Sequence, residues 1–313
     1  MPELPEVEVI RRGLEKKIVG LQIKKIEILN AKTFEGDPQL VTGATVTGVW
    51  RKAKILGIDL VRKSLIVERR SKNKDDNRST TDDTLTLLFH LKMTGQLVLV
   101  PKHKLRTTNH EPLIGGHPTL DMLGEMPNKS TRAIITFADG TKLYFNDQRK
   151  FGWIKLVNRE SLIDNQFLKN LGPEPLEKKF TWRVLKERLL HHPSLPVKVG
   201  LMDQTAVAGI GNIYAAEACF NAKIDPRKKV RVLSDDEYSA LTKGIKDALL
   251  ASIKYGGSSR AHYVNSDGEK GYFLKFAHVY NRAGDPCTVC GSIIQKIAQA
   301  GRSTFFCAKC QKI

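Results

Sequence analysis

Pro2 and Glu3 head the run Pro2-Glu3-Leu4-Pro5-Glu6-Val7-Glu8 and place a cyclic secondary amine beside a carboxylate once the initiator methionine is removed. An unprotonated amine attacks an aldehyde-level carbon and forms an imine, the covalent strategy that lysine serves in other enzymes. A free α-amino group titrates at about 7.7–8, against about 10.4 for lysine, so more of it is nucleophilic near neutrality. Proline's ring amine is more basic than that average, so its surroundings must lower its pKa. The same residues also suit a plain helix start. Proline is favoured in a first turn, and Glu3, Glu6 and Glu8 complement the positive end of a helix dipole. Leu4, Val7, Leu14 and Ile18 recur at helical spacing. The segment alone does not choose between the two readings.

At the other end, Cys287-x2-Cys290 is followed after sixteen residues by Cys307-x2-Cys310. Each CxxC turn aims two thiolates at one tetrahedral ion, and this spacing suits zinc. A pair of disulfides or redox-active thiols is the alternative, disfavoured because no secretory signal is visible. Residues 292–299 and 303–306 read as strands around Ala300-Gly301, so a metal-pinned hairpin would hold Arg302 near its tip. Four cysteine ligands leave no open coordination position, which makes one zinc structural. Cys219, inside the apolar stretch 213–220, reads as a small core residue.

The chain must position these termini with 313 residues, enough for about two domains. Lys and Arg number 51 against 33 Asp and Glu, a net charge of +18 with pI near 9.7. That balance calls for a polyanionic partner, DNA or RNA first. No apolar run approaches the roughly 20 residues of a membrane span, so a cytoplasmic protein without membrane contact is expected. A hydrophobic share of 41% supports ordinary cores rather than disorder. After the first helix, residues 21–29, 44–51, 54–61, 64–68, 85–90, 95–100, 133–137, 142–146 and 153–157 have strand character. Short successive strands after one helix suggest a sandwich with the helix packed on it. From Thr181 the pattern turns helical, at 182–191, 197–202, 212–221 and 234–255. Residues 71–83 and 102–131 fit neither domain and read as surface insertions.

Ala208-Gly209-Ile210-Gly211-Asn212 reads as a glycine-bearing turn with Asn212 as N-cap, and free N–H groups at a helix start bind phosphate. An ordinary turn between helices is the alternative. Lys54 with Arg51 and Lys52 reads either as a phosphate patch or as a solvated lysine between strands. Met93 and Phe151 read as core packing unless their loop settings expose them.

In order along the chain stand the opening PELPEVE, Arg51-Lys52-Ala53-Lys54, His90-Leu91-Lys92-Met93-Thr94-Gly95 and Leu171-Gly172-Pro173-Glu174-Pro175-Leu176. Leu201-Met202-Asp203-Gln204, Gly211-Asn212-Ile213-Tyr214 and the four cysteines complete the set. The sequence closely resembles bacterial formamidopyrimidine-DNA glycosylase, also called 8-oxoguanine DNA glycosylase, from Pro2 to Lys312. Leu4 sets it apart from the sister endonuclease VIII family, which opens Pro-Glu-Gly-Pro-Glu. The resemblance implies an α+β, two-domain fold. An N-terminal helix and two-sheet β-sandwich occupy 1–158, a linker 159–176, a helix–two-turns–helix domain 177–280 and the zinc finger 281–313. It implies a monomer that binds duplex DNA containing oxidised bases or abasic sites, nucleoid-associated through that DNA.

By the same resemblance, Pro2 forms the imine, Glu3 moves protons, Lys54 assists, and Arg302 helps δ-elimination. Met93, Arg149 and Phe151 fill the gap left by a flipped nucleotide. His90, Lys198, Asn212 and Arg302 contact phosphates. The implied reaction is removal of oxidised purines followed by β,δ-elimination at the abasic site. A non-enzymatic zinc-containing nucleic-acid-binding protein and a glycosylase for oxidised pyrimidines are the rival readings. Several positions depart from the family pattern. Asn128-Lys129-Ser130-Thr131-Arg132 replaces a Lys-His-x-His segment, with Arg132 as the candidate substitute. Arg260 stands where an aliphatic residue is usual, within a segment, 256–273, that closes over the damaged base in the family. Val279-Tyr280-Asn281 replaces Val-Tyr-Gly, and Asn tolerates left-handed geometry better than most residues.

Overall fold

A computed structural model describes residues 2–62, 83–102, 113–116, 125–162, 164–257 and 273–313. The expected strand at 64–68, nearly all of the insertion 71–83 and Arg260 lie outside these residues, as do parts of 102–131 and 256–273.

Helix α1 (Leu4–Ile18) starts at a reciprocal cap. Glu3 is the N-cap, and its backbone N–H donates to Glu6 Oε2 at 2.8 Å. The apolar face of α1 then divides between two cores. Val7, Ile10, Leu14 and Ile18 pack inside the sandwich. Leu4, fully buried, packs instead among Leu201, Val207, Ile210 and Tyr214 of the helical domain. Its N–H donates to the Gly209 carbonyl at 3.0 Å. The helix start is thereby anchored to the second domain while its body belongs to the first.

The sandwich has two five-stranded sheets. One runs β1 (Ile23–Ile28), β8 (Thr131–Phe137), β9 (Lys142–Asp147), β6 (Gly95–Val100), β7 (Leu113–Gly116), all antiparallel. The other runs β2 (Phe34–Glu35), β10 (Trp153–Asn158), β5 (Asp83–His90), β4 (Ile55–Arg62), β3 (Thr45–Lys52), antiparallel except for the short β2–β10 pair. Inward residues such as Leu56, Ile58, Leu87, Phe89, Leu97 and Phe145 form the core between them. β4 is buried at every residue from Ile55 to Leu60 because both its faces are covered. Ile55 and Leu88 on the outer face pack under Leu168 of α2 (Gln166–Lys169), a helix within the connection at 159–176. That connection is docked on the sheet and is not a free tether.

The strand β7 corrects the reading of 102–131 as insertion alone. It extends a sheet by pairing with the edge of β6. Strand pairing is made by backbone groups, which a sparse side-chain pattern does not report.

The second domain holds α3 (Trp182–Leu189), α4 (Val197–Leu201), α5 (Asn212–Asn221) and α6 (Asp235–Lys254), with α7 (Phe273–Phe276) after the undescribed segment. Ser234 and Glu237 form a second reciprocal cap at the start of α6. Residues 213–220 are buried without exception, because α5 lies between two packings. Leu241, Ile245 and Leu249 of α6 pack in its core on one side. Ala216 and Phe220 meet Val279, Ile294 and Phe305 of the cysteine module on the other. Cys219 is a buried core residue, as the sequence suggested, and burial pushes its thiol up to about 12. The hairpin β11 (Gln295–Gln299) and β12 (Arg302–Phe306) closes the chain. No described helix is long and apolar enough to cross a membrane.

Truncating Leu4 to Ala should lower stability by about 2–5 kcal/mol, the usual loss for a buried leucine. Chemical denaturation should show an earlier midpoint for unfolding of the helical domain; an unchanged midpoint would mean that Leu4 is not the anchor.

Candidate active site

Helix α5 opens directly onto the chain terminus. The Glu3 carboxylate accepts the N–H of Gly211 at 2.7 Å and of Ile213 at 3.1 Å. These are unpaired first-turn donors of a helix, where an anion is favoured. A side chain at position 211 would put its Cβ 2.5 Å from the Glu3 carboxyl carbon, so only glycine permits the approach. This corrects the expectation that the amides stand free for phosphate behind an Asn212 cap. Gly211 is the cap, Asn212 is the first helical residue, and the anion comes from a residue 208 positions earlier. Pro2 is buried beside it.

Lys54 follows Ala53 in the two-residue turn joining β3 to β4. Its Nζ donates to the Ile210 carbonyl at 2.8 Å, an oxygen that also accepts Gln204 Nε2 at 2.7 Å. Burial lowers the Lys54 pKa against the pull of Glu3 and Glu6. Burial raises that of Glu3, with Lys54 opposing and Glu6 adding. The acid and the amine are each shifted toward neutrality.

Arg51 does not face outward as part of a phosphate patch. Its side chain is 8% exposed and donates to Glu8 Oε2 at 3.1 Å and to Glu174 Oε1 at 2.8 Å. Glu174 also accepts the Ala53 N–H. The glutamate of the Leu-Gly-Pro-Glu-Pro turn therefore clamps the turn that carries Lys54. Burial alone would raise Glu8, but hydrogen bonds from Arg11 and Arg12 and the Arg51 charge bring it down to about 2.

Lys198 is fully buried, and burial lowers it to about 8 against the opposing pull of Cys219 and Glu3. Its Nζ donates to Asn212 Oδ1, while Asn212 Nδ2 donates to the Ser303 carbonyl at 3.0 Å. Asn212 thus ties the hairpin to α5 next to the exposed Arg302. Glu3, Lys54, Met93, Asn212, Tyr280 and Arg302 line one cavity of about 310 Å³. A larger open hollow of about 880 Å³, at Gln22, Asp37, Gln39 and Arg62, holds none of the residues singled out from the sequence.

The remaining candidates lie on the sandwich, His90 at the end of β5 and Met93, Arg149 and Phe151 on loops. His90 Nδ1 accepts the Lys92 N–H at 3.0 Å, which leaves Nε2 to carry the proton of the neutral ring. Its ring lies 5.5 Å from Trp153 and 6.0 Å from Phe167. Burial and the Lys92 and Lys54 charges depress it to about 3. Phe151 is 56% exposed with the Arg149 guanidinium 5.0 Å above its ring, so it is not a core residue. Met93 is half-buried. Asp147 holds this loop by accepting the Gly152 N–H at 2.6 Å and the Arg149 N–H at 3.2 Å. Arg132 directs its guanidinium to the carbonyls of Asp147 and Lys129.

Six described non-glycine residues have positive φ, and four of them immediately precede or flank a candidate: Ala53, Lys92, Lys150 and Ala300. Left-handed backbone costs a non-glycine residue roughly 1–2 kcal/mol. Its clustering beside Lys54, Met93, Phe151 and Arg302 marks loops shaped for something other than stability. Asn281 also adopts it, at φ 62°, as its place in the Val-Tyr-Gly motif suggested.

The chain matches the formamidopyrimidine-DNA glycosylase N-terminal domain over residues 1–154, the H2TH domain of the same family over 171–263, and the zinc finger found in FPG and IleRS over 284–313. A formamidopyrimidine-DNA glycosylase of Rhodopseudomonas palustris is 34% identical over the full length of both chains. A Lactococcus lactis FPG mutant bound to Fapy-dG containing DNA superposes with TM-score 0.79 at 32% identity, covering 100% of both chains. MutM in complex with carbocyclic 8-oxo-G containing DNA gives 0.78 at 32%, again over both whole chains. The chain belongs to the formamidopyrimidine-DNA glycosylase family.

The cysteine cluster of this glycosylase fits the family's metal. The four sulfur ligand atoms lie within 4.8 Å of one another, with Cys287–Cys310 at 3.9 Å and Cys290–Cys307 at 3.4 Å. Tetrahedral zinc with bonds of about 2.3 Å separates its sulfurs by about 3.8 Å, whereas a disulfide needs about 2.05 Å. Cys287, Cys290, Cys307 and Cys310 hold one structural zinc ion. Sequence reasoning missed Glu217, a buried carboxylate on α5 that accepts the N–H groups of His278, Val279 and Tyr280 at 2.8–3.0 Å. Its position in an apolar helix was the only signal.

Two outcomes follow from this geometry. The folded pKa of His90 is depressed, so its contribution to stability is full above about 6.5 and is lost as pH falls toward about 3. NMR titration should find its ring neutral from pH 8 to 5, and His90→Gln should flatten the acid dependence of the unfolding midpoint. Cys307→Ser should reduce the one zinc per chain found by elemental analysis. Because metal binding is coupled to folding of such modules, DNA affinity should fall before the sandwich unfolds. Unchanged DNA binding without metal would exclude this role of the finger.

Proposed function

We infer that this protein excises oxidised purines, 8-oxoguanine and formamidopyrimidines, from duplex DNA and then cleaves the abasic site. The observation that carries the reading is the meeting of Glu3, Lys54 and Arg302 at one cavity beside the buried Pro2. In this reading the Pro2 nitrogen attacks C1′, the glycosidic bond breaks, and the base leaves with its electron pair and a proton. Glu3, whose pKa burial raises above the ordinary carboxylate value, is suited to hold and return protons. Loss of the nitrogen-bound proton frees its lone pair to form the C=N bond as the C1′–O4′ bond breaks and O4′ takes a proton from Glu3; because Pro2 is a secondary amine, this imine is a cationic iminium. The imine acidifies the 2′ position, whose proton is removed as the 3′ phosphate departs. A second elimination releases the 5′ phosphate, with Arg302 beside the departing anion. Lys54 supplies a cation next to the reacting sugar.

Met93, Arg149 and Phe151 fill the space left by the everted nucleotide, and the exposure of Phe151 under the Arg149 guanidinium supports that role. His90 and Asn212 serve the phosphates, while Lys198, fully buried behind Asn212, holds that side chain in place rather than meeting a phosphate itself; the neutral His90 acts as an Nε2–H donor. The domains in this reading are 1–158, 177–280 and 281–313 about the docked linker. The zinc supplies no reactive position and holds the hairpin that bears Arg302. The protein works in the cytoplasm, on nucleoid DNA.

Borohydride added during turnover should cross-link the native chain covalently to 8-oxoguanine or abasic duplex DNA. An uncleaved tag ahead of Pro2 should abolish the adduct. A tagged form that traps as well as the native one would put the imine elsewhere, and no adduct with either form would favour a purely binding protein.

A further inference from the structure

Helix α5 grips more than the Glu3 carboxylate. One residue beyond Ile213, the Tyr214 hydroxyl donates to Glu6 Oε1. The other oxygen of Glu6 accepts the N–H of Glu3, the amide of the Pro2–Glu3 peptide. Tyr214 is fully buried, and its hydroxyl also meets Ser252 Oγ of α6. A tyrosine hydroxyl has one proton; since that proton points to Glu6, the Ser252 hydroxyl is the donor in the second bond. The series Ser252 to Tyr214 to Glu6 to the Pro2–Glu3 peptide is continuous and buried.

We propose that Tyr214, backed by Ser252, is a positioning residue for the N-terminal amine, acting through Glu6. The proposal rests on the reading of Pro2 as the nucleophile. Two constraints fix the direction of the Pro2 ring. Glu3 is held by its side chain on the amides of Gly211 and Ile213, and the peptide between Pro2 and Glu3 is held by Glu6. Without the Tyr214 hydroxyl the second constraint is weakened, because Glu6 loses one of the bonds that hold its side chain against the Glu3 N–H. The first constraint remains, so the terminus stays docked while the peptide plane, and with it the nitrogen lone pair, gains freedom. Covalent attack on C1′ needs the reacting atoms aligned within a narrow range, and displacement by about 1 Å costs on the order of a hundredfold in rate. Burial keeps the Tyr214 hydroxyl protonated well above its ordinary range, so it remains a donor at any working pH.

Ser252 adds a link to the far side of the site. Its carbonyl accepts the Gly257 N–H at 2.8 Å, and a Cβ at Gly257 would lie 3.4 Å from Glu6 Cγ. The end of α6 thus touches the same glutamate that orients the terminus.

The test separates positioning from binding. Tyr214→Phe removes only the hydroxyl and retains the ring, whose centroid is 5.5 Å from that of Phe273. Single-turnover borohydride trapping on a preformed abasic duplex should slow by roughly tenfold to a hundredfold. Affinity for a duplex carrying a tetrahydrofuran abasic analogue, which cannot form an imine, should stay within about twofold of the wild-type chain. Ser252→Ala should slow trapping in the same direction and less. Wild-type trapping by a folded Tyr214→Phe would overturn the proposal, as would a parallel loss of affinity. Should Tyr214→Phe not fold, Ser252→Ala decides alone, and trapping at the wild-type rate overturns it. A wild-type chain that forms no adduct would instead refute the Pro2 reading itself.

Discussion

A carboxylate set against the open end of a helix is the interaction on which this molecule depends. Glu3 belongs to the first turn of α1, which packs on the sandwich. The amides it accepts belong to α5, at the centre of the second domain. Burial makes an unpaired carboxylate costly, and two backbone N–H groups at a helix start are the cheapest compensation a protein can provide. The same contact that satisfies the charge sets the two domains in register and holds Pro2 at their junction. Leu4 completes it by burying an apolar side chain in the opposite domain from the rest of its helix.

The device recurs. Glu174, in the connection between domains, accepts from Ala53 and Arg51 and so fixes the turn that carries Lys54. Glu217, on the other face of α5, collects three N–H groups of the segment leading to the zinc module. Asn212 joins the module to α5 from a third direction. Glu3, Lys54 and Asn212 are therefore each held by a polar contact with a distant segment of the chain. A buried polar contact is more exacting than apolar packing, because leaving either partner unmatched is penalised in full. That geometry suits a site built from separate loops, where small errors in placement would otherwise accumulate.

The loops proposed to meet DNA obey the opposite rule. Phe151, Arg149 and Arg302 are exposed, and their loops are shaped by left-handed residues at Lys150 and Ala300 and by the Asp147 carboxylate behind them. Exposed aromatic and cationic groups on stiff loops can enter a duplex without first leaving a core. The excess of 51 basic over 33 acidic residues supplies the general attraction to phosphates.

Much of this was legible without coordinates. The opening Pro-Glu pair pointed to the amine chemistry that is proposed, the spacing of the four cysteines announced a closed metal site, and alternation and helical spacing gave most of the described strands and helices close to their observed limits. These are local signals, carried by residue type and short-range period. The sequence did not show that Glu3 occupies the amides of Gly211 and Ile213, that Arg51 is buried between Glu8 and Glu174, or that residues 113–116 complete a sheet. Nor did it show that Ala53, Lys92, Lys150 and Ala300 turn left-handed, since none is a glycine. The contacts of Glu3, Arg51 and residues 113–116 have partners tens to hundreds of positions away, and nothing in the local chemistry of an arginine or a glutamate says which partner burial will provide. The sequence by itself determined which groups could react and which could bind metal; only the tertiary structure decided which charges stay exposed and which hold the frame, because the desolvation of a charge is fixed by what packs around it.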